Sequence, residues 1–232
     1  MNQTSRIASG LDTNGFEIVE QVYSHNEIRE ILSVLDSGNI GGSFGVRELL
    51  EICPELKDRI FTPNFTELLL KIAPGNIRLV KAVYFDKPPT ANWIVNWHQD
   101  VTINLIGKKD VPGFRNWRVH PNRVVVQPPV EILESMFTTR IHLDDCSVAN
   151  GALRVMTGSH RNGVVVMKSW ERAAADEEHI CEAAAGDIML MKPLTMHSSR
   201  RAENQKNRRV IHLEFCTKEL PNGLEWKEGF RL

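Results

Sequence analysis

His98-Gln99-Asp100 places an imidazole and a carboxylate two residues apart. On an extended segment, residues i and i+2 point the same way, so both can reach one ion. Two histidines and one carboxylate on one face of a metal leave further positions open. That donor set belongs to non-haem iron(II) oxygenases, in which a 2-oxo acid and dioxygen take the open positions. The tripeptide alone is weak evidence. With 8 histidines in the chain, chance supplies about a third of one H-x-D. A second one, His142-Leu143-Asp144, is indeed present. The first is the better metal candidate because it borders a long connection where a site can open to substrate. The second falls within a strand pattern and reads as cavity lining. A third ligand must come from elsewhere, and His197, at the end of a strand pattern and just before Ser198-Ser199, is the candidate.

Arg208 lies eleven positions beyond His197, at the head of the next strand. The distal carboxylate of 2-oxoglutarate needs a cation in a dry cavity, and a guanidinium that binds bidentately suits it. Arg209 is adjacent and competes for this role. Alternation favours Arg208, which shares a face with Val210, His212 and Glu214, whereas Arg209 shares one with Ile211, Leu213 and Phe215. In Phe137–Asp144, Thr138, Arg140, His142 and Asp144 share one face. Such a face either meets water or lines a polar barrel interior. On the second reading Arg140, His142 and His212 are candidate substrate contacts, although Arg140 could instead pair with Asp144 on its own strand. Trp117, His120 and Gln127 could close over substrate, and Trp97 could pack against the metal-bearing segment.

The elements that must position these groups change character along the chain. Residues 1–76 read as a helical cover. Ser24-His25-Asn26-Glu27 has capping-box form, followed by Ile28, Ile31, Leu32 and Leu35 at helical spacing. Gly38, Gly41 and Gly42 break that helix. A second starts near Pro63 and carries Leu68, Leu69 and Ile72. Strand patterns follow at 77–85, 137–145, 152–156, 163–167, 187–193 and 208–216, the first closed by Pro88-Pro89. Residues 101–136 contain scattered Gly and Pro and read as an active-site loop or lid. The expected architecture is a single domain over 1–232, with helices covering an antiparallel β-barrel or sandwich core over 77–216.

Composition excludes several classes. The net charge of −1 gives no general attraction to nucleic acid or anionic membrane. The basic residues at 200–209 lack the aromatic interleaving of a nucleic-acid site. No apolar run reaches spanning length, and the N-terminus has no secretory pattern. Four dispersed cysteines, 53, 146, 181 and 216, fit reduced thiols. A cytoplasmic enzyme acting on a small molecule is the expectation.

Taken together, Phe85-Asp86-Lys87-Pro88-Pro89, Trp97-His98-Gln99-Asp100, Asn150-Gly151-Ala152-Leu153 with Thr157-Gly158-Ser159-His160, Met196-His197-Ser198-Ser199 and Arg208-Arg209-Val210 resemble the phytanoyl-CoA dioxygenase family. The resemblance runs from Gly15-Phe16 to about Phe215. It implies a mainly β fold with N-terminal helices, a double-stranded β-helix (jelly-roll, cupin-like) core, and iron(II), 2-oxoglutarate and dioxygen as cofactor and cosubstrates. It also implies that His98, Asp100 and His197 bind iron and that Arg208, helped by Ser199, binds 2-oxoglutarate. Halogenating relatives replace the carboxylate ligand with a small residue; the presence of Asp100 points to hydroxylation or another oxidation, with release of succinate and CO2. Two other classes fit the same residues. One is a cupin-like hydrolase holding another divalent ion such as zinc. The other is a non-catalytic protein that binds 2-oxoglutarate or another ligand on this fold.

Overall fold

The computed structural model describes residues 3–38, 40, 44–87, 93–170 and 177–232; Gly41, Gly42 and Pro88-Pro89 lie outside them. The N-terminal region runs α1 (Gln3–Asn14), β1 (Phe16–Val19), α2 (His25–Ser37), β2 (Gly45–Arg47), α3 (Leu49–Ile52), α4 (Leu56–Ile60) and α5 (Pro63–Ile72). The capping box at Ser24 is formed. Its hydroxyl accepts from the Glu27 N–H at 3.3 Å, and the Glu27 carboxylate accepts from the Ser24 N–H at 2.7 Å. Ile28, Ile31 and Leu35 are buried on one face of α2. Pro63 opens α5 behind a Thr62 cap whose hydroxyl accepts from the Phe65 N–H.

The rest of the chain builds β3 (Arg78–Asp86), β4 (Val95–His98), β5 (Ile103–Leu105), β6 (Arg115–Val119), β7 (Val124–Gln127), α6 (Val130–Glu134), β8 (Met136–His142), β9 (Leu153–Met156), β10 (Glu178–Cys181), β11 (Ile188–Met191), β12 (His197–Ser199) and β13 (Arg209–Cys216). One sheet has the order β1-β11-β8-β13-β3-β2 and another β10-β9-β12-β4. All their pairings are antiparallel. This is the jelly-roll arrangement, with β13 central in the larger sheet. The helices cover that sheet's outer face. Phe137, Ile141, Ile211, Leu213 and Phe215 pack there against Ile31, Leu35, Phe65 and Leu69, and the Phe137 and Phe215 rings stack at 5.2 Å.

The inner face explains the polar alternation. Every residue of β8 is buried, so Thr138, Arg140 and His142 do not face water. One end of the interior is filled by Phe16, Leu153, Val155, Cys181, Met189 and Met191. The other end is open and polar, and there the candidate site residues collect.

Three expectations are corrected. Residues 101–136 are not a bare loop: they form a third sheet, β5-β7-β6, followed by α6. Val126, Phe114, Leu133 and Leu105 pack with Leu224 and Trp226 into a separate core. The apolar residues among the scattered Gly and Pro are what anchor it. The strand expected at 163–167 is instead an irregular segment with one bend, leading into a 3-10 turn at Met167–Ser169. Gly163 turns with φ +63°, and Val166 and Met167 are exposed, so the apolar run was not a core strand. Finally β8 ends at His142, and Asp144 leaves the ladder to bind Arg209.

Candidate functional site

β4 and β12 are neighbours in the smaller sheet, and their register sets His98 directly opposite His197. The chain then leaves β4 with the Asp100 N–H donating to the Pro193 carbonyl at 2.9 Å, which holds Asp100 beside both histidines. Asp100 lies 3.9 Å from His98 Nε2 through Oδ1 and 3.7 Å from His197 Nε2 through Oδ2. One ligand atom from each of the three falls within 4.8 Å of the others. Both Nδ1 atoms are occupied: His98 Nδ1 lies 2.8 Å from the Asn96 carbonyl and His197 Nδ1 2.9 Å from the Thr195 carbonyl. A carbonyl only accepts, so each Nδ1 carries the proton and each Nε2 lone pair faces Asp100. Burial pushes the His197 pKa down to about 4 against the opposing pull of Asp100. Burial works against the Asp100 charge, but His197, His212, Lys81 and His98 outweigh it and hold the carboxyl below its usual range. At neutral pH His197 is a neutral imidazole and Asp100 a carboxylate, the forms in which these groups bind a divalent cation.

Between the first two ligands, Gln99 points the other way and is buried. Its Nε2 donates to the Gly163 and Leu194 carbonyls at 2.8 and 2.7 Å, and its Oε1 accepts from the Val165 N–H at 2.8 Å. The segment that failed to become a strand is thereby tied to the back of the candidate centre.

The three residues open onto a cavity of about 320 Å³ between the two sheets. Arg208, Ser199, Arg140 and His212 line it too. Arg208 is buried, and backbone hydrogen bonds with Lys87 extend the β3–β13 ladder to it. Its guanidinium contacts the Cys146 thiol, and its Nε has no partner among the described residues. Arg209 points away. Its Nε and Nη2 bind the two Asp144 oxygens at 2.9 and 2.6 Å, and its N–H donates to the same carboxylate. Asp144 therefore does not pair with Arg140, whose Nη1 lies 3.3 Å from His212 Nδ1.

Not all sequence candidates reach the cavity. His142 is buried but is not among the lining residues; neither ring nitrogen has a partner among the described residues. Burial, with Arg140 and Arg208 nearby, pushes its pKa to about 3. Trp117, His120 and Gln127 are not among the lining residues of this cavity either. Trp117 packs on Phe114, and Gln127 accepts from Asn116. Trp97 faces away from His98 and lies between Trp170 and the Arg154 guanidinium.

Lys81 was missed by the sequence reading. It lines the cavity and pairs with Glu214 at 2.7 Å, and Glu214 in turn lies 3.3 Å from His212 Nε2. The signal was a lysine sharing the Val83 and Phe85 face of an otherwise apolar strand. Asp100, His212 and Glu214 form a second metal-capable group, but the Lys81 ammonium already supplies a cation there.

Two facing antiparallel sheets with a two-histidine, one-carboxylate cluster in the cavity between them define a cupin-like jelly roll with a candidate mononuclear metal centre. The sequence profile of phytanoyl-CoA dioxygenase (PhyH) matches residues 50–210, and the chain belongs to that family, whose members are iron- and 2-oxoglutarate-dependent oxygenases. No match was found among curated proteins. Solved structures share the fold. The epimerase SnoN, in complex with Fe3+, alpha ketoglutarate and nogalamycin RO, is 15% identical, with TM-score 0.69 and coverage of 95% of this chain and 91% of that one. AviO1 from Streptomyces viridochromogenes is 17% identical, with TM-score 0.67 over 95% and 98%. HygX from Streptomyces hygroscopicus, with nickel and 2-oxoglutarate bound, is 14% identical, with TM-score 0.64 over 94% and 87%. Among the described residues no helix is long and apolar enough to cross a membrane.

Proposed function

We propose that this protein is an iron(II)- and 2-oxoglutarate-dependent dioxygenase that hydroxylates a small-molecule metabolite and releases succinate and CO2. The observation that carries the reading is the convergence of the His98 and His197 Nε2 atoms and the Asp100 carboxylate within 4.8 Å. The family and the cofactors named for SnoN and HygX support it.

His98, Asp100 and His197 would hold the iron, which supplies dioxygen activation coupled to oxidative decarboxylation of the 2-oxo acid. The Nδ1 contacts to Asn96 and Thr195 fix the tautomer that offers Nε2. Asp100 contributes the one negative charge of the donor set. Arg208 is assigned the distal carboxylate of 2-oxoglutarate. It has no acidic partner among the described residues and stands in the same cavity as the candidate metal ligands. Ser199, two residues beyond His197 on β12 and also lining the cavity, is assigned a supporting hydrogen bond. Val83, Phe85, Leu153 and Val210 form apolar walls that limit water around the reacting groups.

The test is succinate release from 2-oxoglutarate by purified protein supplied with iron(II) or with zinc. Succinate that forms with iron and oxygen, is absent with zinc and is abolished in Asp100→Ala supports the assignment. A well-folded protein that makes no succinate with iron but hydrolyses substrates with zinc would overturn it.

A further inference from the structure

Five cationic side chains line the cavity, Arg47, Lys81, Lys87, Arg140 and Arg208, against two carboxylates, Asp100 and Glu214. Lys81 is matched by Glu214 at 2.7 Å. A divalent metal and a doubly charged 2-oxo diacid cancel each other. Arg208 then offsets Asp100, and Lys87, Arg140 and Arg47 are left over.

Two of these three are buried. Arg140 is 9% exposed and Lys87 2%. Neither has a carboxylate within ion-pairing distance among the described residues. Among the described residues Arg140 hydrogen-bonds only the His212 ring, and its Nε has no partner. The Lys87 ammonium donates to the Arg200 carbonyl at 2.9 Å and lies 5.3 Å over the Trp93 ring. Burial lowers the Lys87 pKa to about 8, with Arg208 adding to the effect. A desolvated cation costs free energy until an anion or another strong acceptor meets it. Arg47 stands exposed on edge strand β2, opposite Val83, at the open side of the same cavity.

His212 is well placed to keep Arg140 charged and oriented. Its Nε2–H donates to Glu214, so its Nδ1 lone pair accepts from Arg140 Nη1. Lys81, Glu214, His212 and Arg140 form one chain whose free end is the unmatched guanidinium in the cavity.

We propose that the substrate is a small anion, a carboxylate or phosphate compound, whose charged group is bound by Arg140 and Lys87, with Arg47 guiding its entry. The proposal rests on the iron and 2-oxoglutarate reading above. About 320 Å³ is at the low end of small-molecule cavities, which run roughly 300–1,000 Å³. Shared with the cosubstrate, that space admits a compact metabolite rather than a long acyl thioester.

The test begins with anaerobic protein loaded with iron(II) and saturating 2-oxoglutarate, with the chelate followed by its visible absorption. Calorimetric titration of the loaded protein with inorganic phosphate, malonate and neutral malonamide follows. The expected result is one equivalent of phosphate or malonate bound and no malonamide. The tighter anion identifies the charged group of the substrate. Arg140→Gln should weaken that anion by roughly tenfold or more while moving 2-oxoglutarate affinity by less than about threefold. Arg140→Lys should recover most of the loss, which a merely structural role would not predict. The proposal is overturned if neither anion binds the loaded wild-type protein, or if malonamide binds as well as malonate. It is also overturned if Arg140→Gln weakens 2-oxoglutarate as severely as Arg208→Gln, because both guanidiniums would then serve the cosubstrate. Failure of the loading step itself, seen before any probe anion is added, would overturn the cofactor reading together with this one.

Discussion

Arg208 and Arg209 are adjacent, carry the same charge, and should give opposite phenotypes. Arg208 is buried without a carboxylate partner among the described residues. Its replacement by Gln removes a desolvated cation and breaks no ion pair, so the stability of the metal-free protein should hold or rise. The loss falls on ligand binding. Truncating one partner of a buried charge pair costs roughly 2–5 kcal/mol, so 2-oxoglutarate affinity should fall by roughly 30-fold to several thousandfold. Arg209 instead makes three hydrogen bonds to Asp144, at 2.9, 2.9 and 2.6 Å, with both side chains about one-fifth exposed. Arg209→Gln removes the two made by the guanidinium, at a cost of roughly 1–3 kcal/mol. For a domain of this size that lowers Tm by roughly 2–4 °C per kcal/mol, with 2-oxoglutarate affinity nearly unchanged. The assays are anaerobic 2-oxoglutarate titration of the iron-loaded variants and thermal denaturation of the metal-free ones. If Arg209→Gln lost 2-oxoglutarate affinity and Arg208→Gln lost only stability, the assignment of faces on β13 would be refuted.

Three further outcomes are expected. His142 and His197 have pKa values of about 3 and about 4 against 6.5 unfolded. The unfolded chain therefore binds more protons between about pH 4 and 6.5, and metal-free stability should rise with pH through that window, by at most about 1.4 kcal/mol per pH unit per histidine; His142→Phe should remove a comparable part of the slope in urea melts, and an unchanged slope would contradict the burial of His142 as a neutral ring. Gln99→Ala releases the Gly163, Val165 and Leu194 contacts behind the ligands and should weaken iron binding by roughly 10–100-fold, read by competition with a chelator. Phe215→Ala opens a hole between β13 and the helices where Phe65 and Phe137 pack and should cost roughly 3–5 kcal/mol in urea unfolding; a loss below 1 kcal/mol would argue against that packing.

The legible parts of the sequence were those in which spacing alone fixes direction. His98 and Asp100 share a side because residues two apart on an extended segment do, and strand alternation separated Arg208 from Arg209. The helical cover was readable from its caps and its 3.6-residue periodicity. What stayed hidden depends on distant pairing. A partly exposed apolar run such as 163–167 looks like a strand until no pairing neighbour is found for it. The third sheet within 101–136 is built from strands of three to five residues, too short for a periodic signal. The place where β8 ends is set by the pull of Arg209 on Asp144, sixty-five residues away in sequence, and that ending keeps His142 and Asp144 from acting as a second H-x-D site. Lys81 could be picked out as a paired cavity residue only once Glu214 was seen opposite it on β13.

The most direct test of the central claim is the visible charge-transfer absorption that anaerobic protein develops on adding iron(II) and 2-oxoglutarate together, measured for wild type and His197→Ala. His197 is 5% exposed, with Nδ1 held by the Thr195 carbonyl, so its removal takes away a fixed donor with little else able to replace it. The wild-type protein should give a saturable band that is lost in a folded His197→Ala variant. A folded wild-type protein without the band, or an unchanged band in His197→Ala, would contradict that claim.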